Sequence, residues 1–446
     1  MSVTQLGAEQ RGERILAVLG TAFGGLLAAD PAAFRARFRR MAGSAAAFYR
    51  GTACLFYDDL EREYGGPATG PYLDERTSRV WIHGDLHTES FGTYLDSTGR
   101  LVLHVTGFDE AYVGPFTWDL RRFAASVALF GHAKALSDDR ITELVRIYAG
   151  AYRERVHALA TGAKNDETPP FTLDTAEGPL LDALRDARSL TRSGLLDSLT
   201  EIRDFERRFA PGSGAVDLDA AARYKVLAAF DGYLETLPES SLAHPDSYRV
   251  KDVVGRRGVG AGPAGPPSYD ILLEGGSDAL EHDVVIRLGR ARTPAVSPHV
   301  DDAAVRGYFQ HEGHRAVVSR RALQAHADPW LGWTELDGAG QLVAEVSPYA
   351  VDLDWSDLDE PEEIAAVVAD LGRVTATAHA AAGDRSGHSL VPFSTERAID
   401  AAIAADEEGF ADLLVDFAHG YGARARADHR IFVDLFRGGR VPGLDG

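Results

Sequence analysis

The sequence holds a single cysteine, Cys54, among 446 residues. One cysteine forms neither an intramolecular disulfide nor a thiolate metal cluster, which fits a reducing compartment. A basic surplus is also missing: 46 lysines and arginines face 67 aspartates and glutamates, a formal charge of −21 at pH 7. The acidic residues are spread along the chain, so the surface repels phosphate backbones and no nucleic-acid partner is expected. No apolar run approaches the roughly 18 residues a membrane span needs. Met1 to Arg14 is polar and carries both signs of charge, unlike an export signal. The expectation is a cytoplasmic protein without membrane contact. His87, His311, His314 and His379 show no H-E-x-x-H or comparable zinc spacing, and no internal repeat is present.

The rest is ordinary globular sequence, 45% hydrophobic and 25% charged, long enough for about two or three lobes with their own cores. Apolar spacing predicts a helix over Glu13–Leu27 and another from Pro31, the latter carrying Arg35, Arg37, Arg39 and Arg40 as a short basic face. Strands are predicted at Arg79–His83 and Leu101–Phe108, and helices over Trp118–Lys134, Asp138–Arg153 and Glu177–Phe209. After Pro245 the character changes. A glycine-rich segment, Gly255–Gly265, precedes strand-like runs at Ser268–Leu273, Asp283–Arg287 and Gln341–Val346, with a helix over Val305–Ala327 between the last two. Helices over Pro361–Ala382 and Ile399–His419 close the chain. The expected fold class is α+β, with a helical part in residues 1–244, a β-rich part in 245–350 and further helices in 351–446.

Chemistry concentrates in His83-Gly-Asp85-Leu-His87, which follows the first strand, and Phe108-Asp109-Glu110, which follows the second. Two acidic groups at the ends of neighbouring strands can face one cleft, one orienting a hydroxyl and the other holding Mg²⁺ on a phosphate. Taken singly, Asp85 and Asp109 also fit turn caps and His83 a core histidine; the ordered combination is what points to phosphoryl transfer. Gly260-Ala-Gly262-Pro-Ala-Gly265 is a G-x-G-x-x-G run leading into a strand, the context of a phosphate flap and not of a dinucleotide fold, though a surface hairpin fits it too. Val284-Val-Ile-Arg287 stands about twenty residues on, in the place of a V-A-I-K strand, with Arg287 as the candidate phosphate partner. Arg50, between Tyr49 and Gly51, is a candidate for an anionic group or for a structural ion pair. Asp58-Asp-Leu-Glu61 could bind Mg²⁺ against a diphosphate, but an acidic exposed helix face is the expectation.

His83-Gly-Asp-Leu-His87, Phe108-Asp-Glu and Gly114-Pro-Phe-Thr-Trp-Asp119-Leu resemble the catalytic segment of aminoglycoside-phosphotransferase-like kinases. They resemble more closely the bacterial family called domain of unknown function 2252. That pattern continues through Phe48-Tyr-Arg50-Gly51, the Gly260 to Gly265 loop, Tyr269-Asp-Ile-Leu-Leu-Glu-Gly275, Leu331-Gly-Trp333 and Ala378-His379 with Gly383-Asp384. The resemblance implies a kinase-like two-lobe fold, circularly permuted because HGDLH precedes the glycine loop. It implies ATP and Mg²⁺ as cofactors, Asp85 with His87 as catalytic residues, Asp109, Glu110 and Ser90 on the metal, and Gly260, Gly262, Gly265, Arg287 and Arg50 on the nucleotide. Ser90 replaces the usual Asn, Arg287 the usual Lys, and Val318 the usual Glu, with Glu312 the nearest acid.

The expected function is an ATP- and Mg²⁺-dependent phosphotransferase acting on a small metabolite, with no oligomeric state assigned. Two alternatives follow from the departures. One is a nucleotide-binding, pseudokinase-like regulator; the other is a Mg²⁺-dependent enzyme acting on a diphosphate such as a prenyl diphosphate, with Phe91, Phe116 and Trp118 lining an apolar pocket.

Overall fold

A computed structural model describes residues 7–63, 70–163, 171–256 and 268–441. The chain is mixed α and β, 55% helix and 15% strand, with antiparallel sheets. It opens with four helices, α1 (Ala8–Ala29), α2 (Pro31–Met41), α3 (Ala45–Gly51) and α4 (Ala53–Glu63). Pro31 sits at the first turn of α2, and the Asp30 side chain caps it by accepting the Ala33 N–H at 2.9 Å. Four short strands follow, β1 (Val80–Ile82), β2 (Phe91–Leu95), β3 (Leu101–Val105) and β4 (Tyr112–Gly114). Then come α5 (Phe116–Ala133), α6 (Asp138–Ala160), β5 (Phe171–Thr172), α7 (Gly178–Ser189) and α8 (Arg192–Leu199).

The next elements are β6 (Thr200–Arg203), β7 (Glu206–Phe209), β8 (Ala215–Val216), α9 (Ala220–Leu234), β9 (Val250–Arg256), β10 (Ser268–Leu273) and β11 (Val284–Arg290). Helices α10 (Ala303–Tyr308) and α11 (Glu312–Leu323), strands β12 (Gly332–Leu336) and β13 (Ala339–Glu345), and helices α12 (Pro361–Ala381), α13 (Thr395–Ala404) and α14 (Glu407–Arg437) complete it.

One antiparallel sheet runs β12-β13-β11-β10-β9-β8. Successive residues of its central strands alternate faces, and both faces are covered. Ile271, Ile286 and Leu288 pack with Val226, Phe230 and Tyr233 of α9. Leu272 and Val285 pack with Leu196 of α8 and Phe209 of β7. This is why β10 and β11 read as continuous apolar runs. The sheet body therefore begins before residue 245, since β8 pairs with β9 and α9 lies on it. A second, larger core joins α5, α6, α12, α13 and α14 to β1–β4, with Phe123, Tyr148, Val368 and Leu414 fully buried. Helix α1 is fixed to this body by buried Arg11, whose guanidinium bridges Asp59 at 2.6 Å and Asp428 at 2.7 Å.

Four sequence expectations change. The helix expected over Ile399–His419 divides into α13 and α14, because the Asp406 side chain caps α14 by accepting the Gly409 N–H at 3.0 Å. The helical expectation over Glu177–Phe209 holds only to Leu199; β6 and β7 then form a hairpin turning at Asp204 (φ 50°) and Phe205 (φ 65°). Dense charge on Thr200–Phe209 hides the alternation that places Thr200 and Phe209 inward. The helix expected over Val305–Ala327 divides into α10 and α11, because the extended His311 caps α11 with its ring, accepting the His314 N–H. The strand expected over Leu101–Phe108 stops at Val105, where Gly107 (φ 78°) turns the chain into one 3₁₀ turn, Phe108–Glu110.

Candidate functional site

HGDLH leaves β1, and the hairpin of β2 and β3 returns the chain as Phe108-Asp-Glu. The two segments touch through backbone. Gly84 has φ 78°, and a Cβ there would stand 2.0 Å from the Glu110 carbonyl oxygen, so only glycine fits. The turn is held from below by Asp119 at the start of α5, whose carboxylate accepts the N–H of His83 at 2.6 Å and of Gly84 at 2.9 Å. His379 on α12 meets Asp119 through Nε2 at 3.2 Å and Tyr152 through Nδ1 at 2.9 Å. His83 Nε2 binds the Thr106 carbonyl at 2.7 Å, so this histidine staples the loop to the strand before FDE.

Asp85 is held by Arg122 of α5, whose Nε donates to Oδ1 at 2.6 Å. Arg122 is fully buried, spans the rings of Tyr49 and Phe56 at 4.4 and 4.9 Å, and also donates to the Tyr49 carbonyl. Burial is the largest single influence and works against charge on Asp85, but the opposing attractions, led by Arg122, together hold the carboxylate below its usual range. Oδ2 has no partner among the described residues. His87 is buried and its pKa falls to about 3, chiefly by desolvation, so the ring is neutral. Its Nδ1 accepts the Glu89 N–H at 3.1 Å, which puts the proton on Nε2. Ser90 Oγ accepts from the His87 N–H at 3.0 Å and donates to the Asp85 carbonyl at 2.9 Å, closing the turn.

Asp109 carries no side-chain partner among the described residues, and its position is fixed through backbone. Arg315 of α11, buried, donates to the carbonyls of Asp109 at 2.9 Å, Ala111 at 2.6 Å and Arg292 at 2.9 Å. Glu110 accepts the Ala295 N–H; desolvation, then the charge of Asp85, raise its carboxyl to about 7.

A cleft of about 1190 Å³ brings Asp85, His87, Ser90, Asp109, Glu110 and Arg50 together. Arg50 is paired with Glu89 at its rim. Arg287 is not among the lining residues. It is bound through Nε to Asp270 Oδ1 at 2.7 Å, and Arg256 binds the other oxygen of the same fully buried aspartate at 2.6 Å. Arg290, the last residue of β11, and Arg292, two residues on, line the cleft instead, as do Arg37 and the β12–β13 turn. Gly260, Gly262 and Gly265 lie outside the described residues; the strands on either side end at Arg256 and Ser268, with Ser268 paired to Gly289 next to Arg290.

Phe91, Phe116 and Trp118 belong to the core and line no part of this cleft. Asp58 and Asp59 form no exposed acidic face: Arg14 takes Asp58, and Arg11 takes Asp59 in the interior. Cys54 lines the cleft, but burial pushes its thiol up to about 12, leaving it unreactive.

Among the described residues no three histidine, cysteine or acidic side chains converge as a metal site. Asp109 and Glu110 are the adjacent carboxylates of the cleft that could hold Mg²⁺, an ion usually bound through one or two carboxylates with water and phosphate oxygens completing its shell. Residues that sequence reasoning passed over are Arg122, Arg315, Arg290 and Arg292. The visible signal for Arg122 was its place in Trp118-Asp-Leu-Arg-Arg122, on a mostly apolar helix that is buried along nearly its whole length.

The fold and cleft define a mixed α and β protein with an acidic, arginine-rimmed site between an antiparallel sheet and a helical body. The profile described as "Uncharacterized protein conserved in bacteria (DUF2252)" matches residues 29–435, and the chain belongs to that family. No curated protein and no solved structure matches it. Among the described residues, no helix is long and apolar enough to cross a membrane.

Proposed function

We propose that the protein is an ATP- and Mg²⁺-dependent phosphotransferase-like enzyme acting on a small metabolite, with a permuted kinase-like fold. One observation supports this reading: a single cleft is lined both by Asp85, a carboxylate held by a buried arginine, and by Asp109, a carboxylate without a side-chain partner among the described residues. Asp109, with Glu110, would hold the metal. Magnesium bound there would neutralise charge on the transferring phosphate. Asp85 stays ionised and offers Oδ2 to the acceptor hydroxyl, which it orients. His87 presents Nε2–H and so donates a hydrogen bond, without taking a proton. Arg315 and Asp119 keep the two loops in register from outside the cleft.

The test is ATP consumption across a panel of small hydroxylated and amino metabolites, with Asp109→Asn as control. Turnover in the parent chain that disappears in Asp109→Asn supports the reading; equal turnover in both removes Asp109 from the mechanism. A second reading, a nucleotide-binding regulator without turnover, draws on Arg287 and Glu312. Asp270 holds Arg287 outside the cleft, and Glu312 is paired with Arg315 within α11, so the usual Lys–Glu pair of a kinase-like site has no counterpart there. ATP binding without consumption on the whole panel selects it. The third alternative, a diphosphate-directed enzyme, would have to line its pocket with residues other than Phe91, Phe116 and Trp118, which are core.

A further inference from the structure

The arginines of the cleft divide into two groups. Arg14 and Arg62 are paired with Asp58, and Arg50 with Glu89. Arg37, Arg290 and Arg292 also line the cleft, yet none has a carboxylate within ion-pair distance among the described residues. Arg37 is held in place, its guanidinium 4.7 Å from the centre of the Phe23 ring and its Nη2 donating to the Gly51 carbonyl at 3.4 Å. Burial and the positive charge of Arg292 lower its pKa to about 10, so the two guanidiniums repel each other until an anion arrives. Beside them α1 contributes an apolar wall, Ala17, Val18, Phe23 and Leu26, on a helix anchored by buried Arg11.

We propose that Arg37, Arg290 and Arg292 form a subsite for the phosphate of a phosphorylated acceptor whose apolar body lies along Val18, Phe23 and Leu26. Naming this ligand the acceptor rests on the phosphotransferase reading; the subsite itself does not. Three guanidiniums without an ion-pair partner among the described residues match a phosphate monoester, with its second charge and third oxygen, better than a carboxylate, even with Asp85 and Glu110 in the same cleft. An apolar wall suits an amphiphile, whereas the triphosphate of a nucleotide continues into a polar ribose.

The test is calorimetric titration of the full chain in EDTA with hexyl phosphate, inorganic phosphate, hexanoate and hexanol, alongside a separate ATP titration with Mg²⁺. Hexyl phosphate is expected to bind at least ~10-fold more tightly than inorganic phosphate or hexanoate, with no heat from hexanol. Arg37→Gln and Arg292→Gln each weaken hexyl phosphate ~10-fold, and Val18→Asp erases its advantage over inorganic phosphate. Arg290→Gln changes an exposed side chain and keeps the test open if the other variants fail to fold. Affinity unchanged in the arginine variants, or hexanoate binding as tightly as hexyl phosphate, overturns the subsite. Arginine-dependent hexyl phosphate binding without any ATP binding keeps the subsite and overturns the phosphotransferase reading. ATP binding without hexyl phosphate binding does the reverse.

Discussion

Removing the charge of Arg122 tests how the candidate catalytic aspartate is held. Arg122 has 0% side-chain exposure and Asp85 has 19%, so the pair is mostly dry. Arg122→Met keeps the length of the side chain but leaves the Asp85 carboxylate without the guanidinium that pairs with it. Breaking one partner of a buried pair costs about 3–5 kcal/mol, and the partial exposure of Asp85 puts this variant near ~3. Asp85→Asn leaves the cation buried, with the Tyr49 carbonyl as its remaining acceptor. The double variant strands neither charge, so it should be more stable than the sum of the single losses predicts by about 2 kcal/mol. Urea unfolding of all four proteins at one pH, with equal m-values, reads this directly. Losses that add to within about 0.5 kcal/mol would refute the pairing as the force that holds Asp85.

Other outcomes follow from the same geometry. His104 is buried, has no hydrogen-bond partner at Nδ1 among the described residues, and desolvation lowers its pKa to about 4. Its folded value lies below the unfolded ~6.5, so its contribution is intact above that pH and lost as pH falls toward 4; between pH 7.5 and 5.5 this amounts to about 1.4 kcal/mol. His104→Leu should flatten the pH dependence of urea stability by about that amount over this interval. Gly84→Ala forces a Cβ onto the Glu110 carbonyl at φ 78°, and thermal unfolding should report a loss of at least about 2 kcal/mol. Asp119→Asn replaces an acceptor of two backbone N–H groups with an amide that accepts only through its oxygen. It should cost about 1–3 kcal/mol and speed hydrogen exchange at the His83 and Gly84 amides.

The candidate site was legible where chemistry and chain order coincide. HGDLH and FDE could be placed after strands because short apolar runs bounded by glycine are strong local signals. The cleft does bring Asp85, His87, Ser90, Asp109, Glu110 and Arg50 together. What stayed hidden depends on contacts distant in sequence. Arg37 sits among Arg35–Arg40, a pattern that reads as a solvated face, yet it turns inward against Phe23 of the preceding helix. Arg287 occupies the expected position on its strand, but Asp270, directly across the ladder, captures it. Strand β2 escaped notice because Phe91-Gly-Thr-Tyr-Leu95 is buried on both sides and shows no clean polar alternation. β6 and β7 escaped for the opposite reason, their charge density concealing two inward residues.

The proposed phosphotransferase requires that Asp109 and its cleft hold a nucleotide polyphosphate through Mg²⁺. Calorimetric titration of ATP into the full chain, with Mg²⁺ and then in EDTA, and again for Asp109→Asn, tests it most directly. ATP binding that needs Mg²⁺ in the parent chain and is lost in Asp109→Asn is the expected result. ATP binding of equal strength in EDTA, or in Asp109→Asn with Mg²⁺, would contradict it.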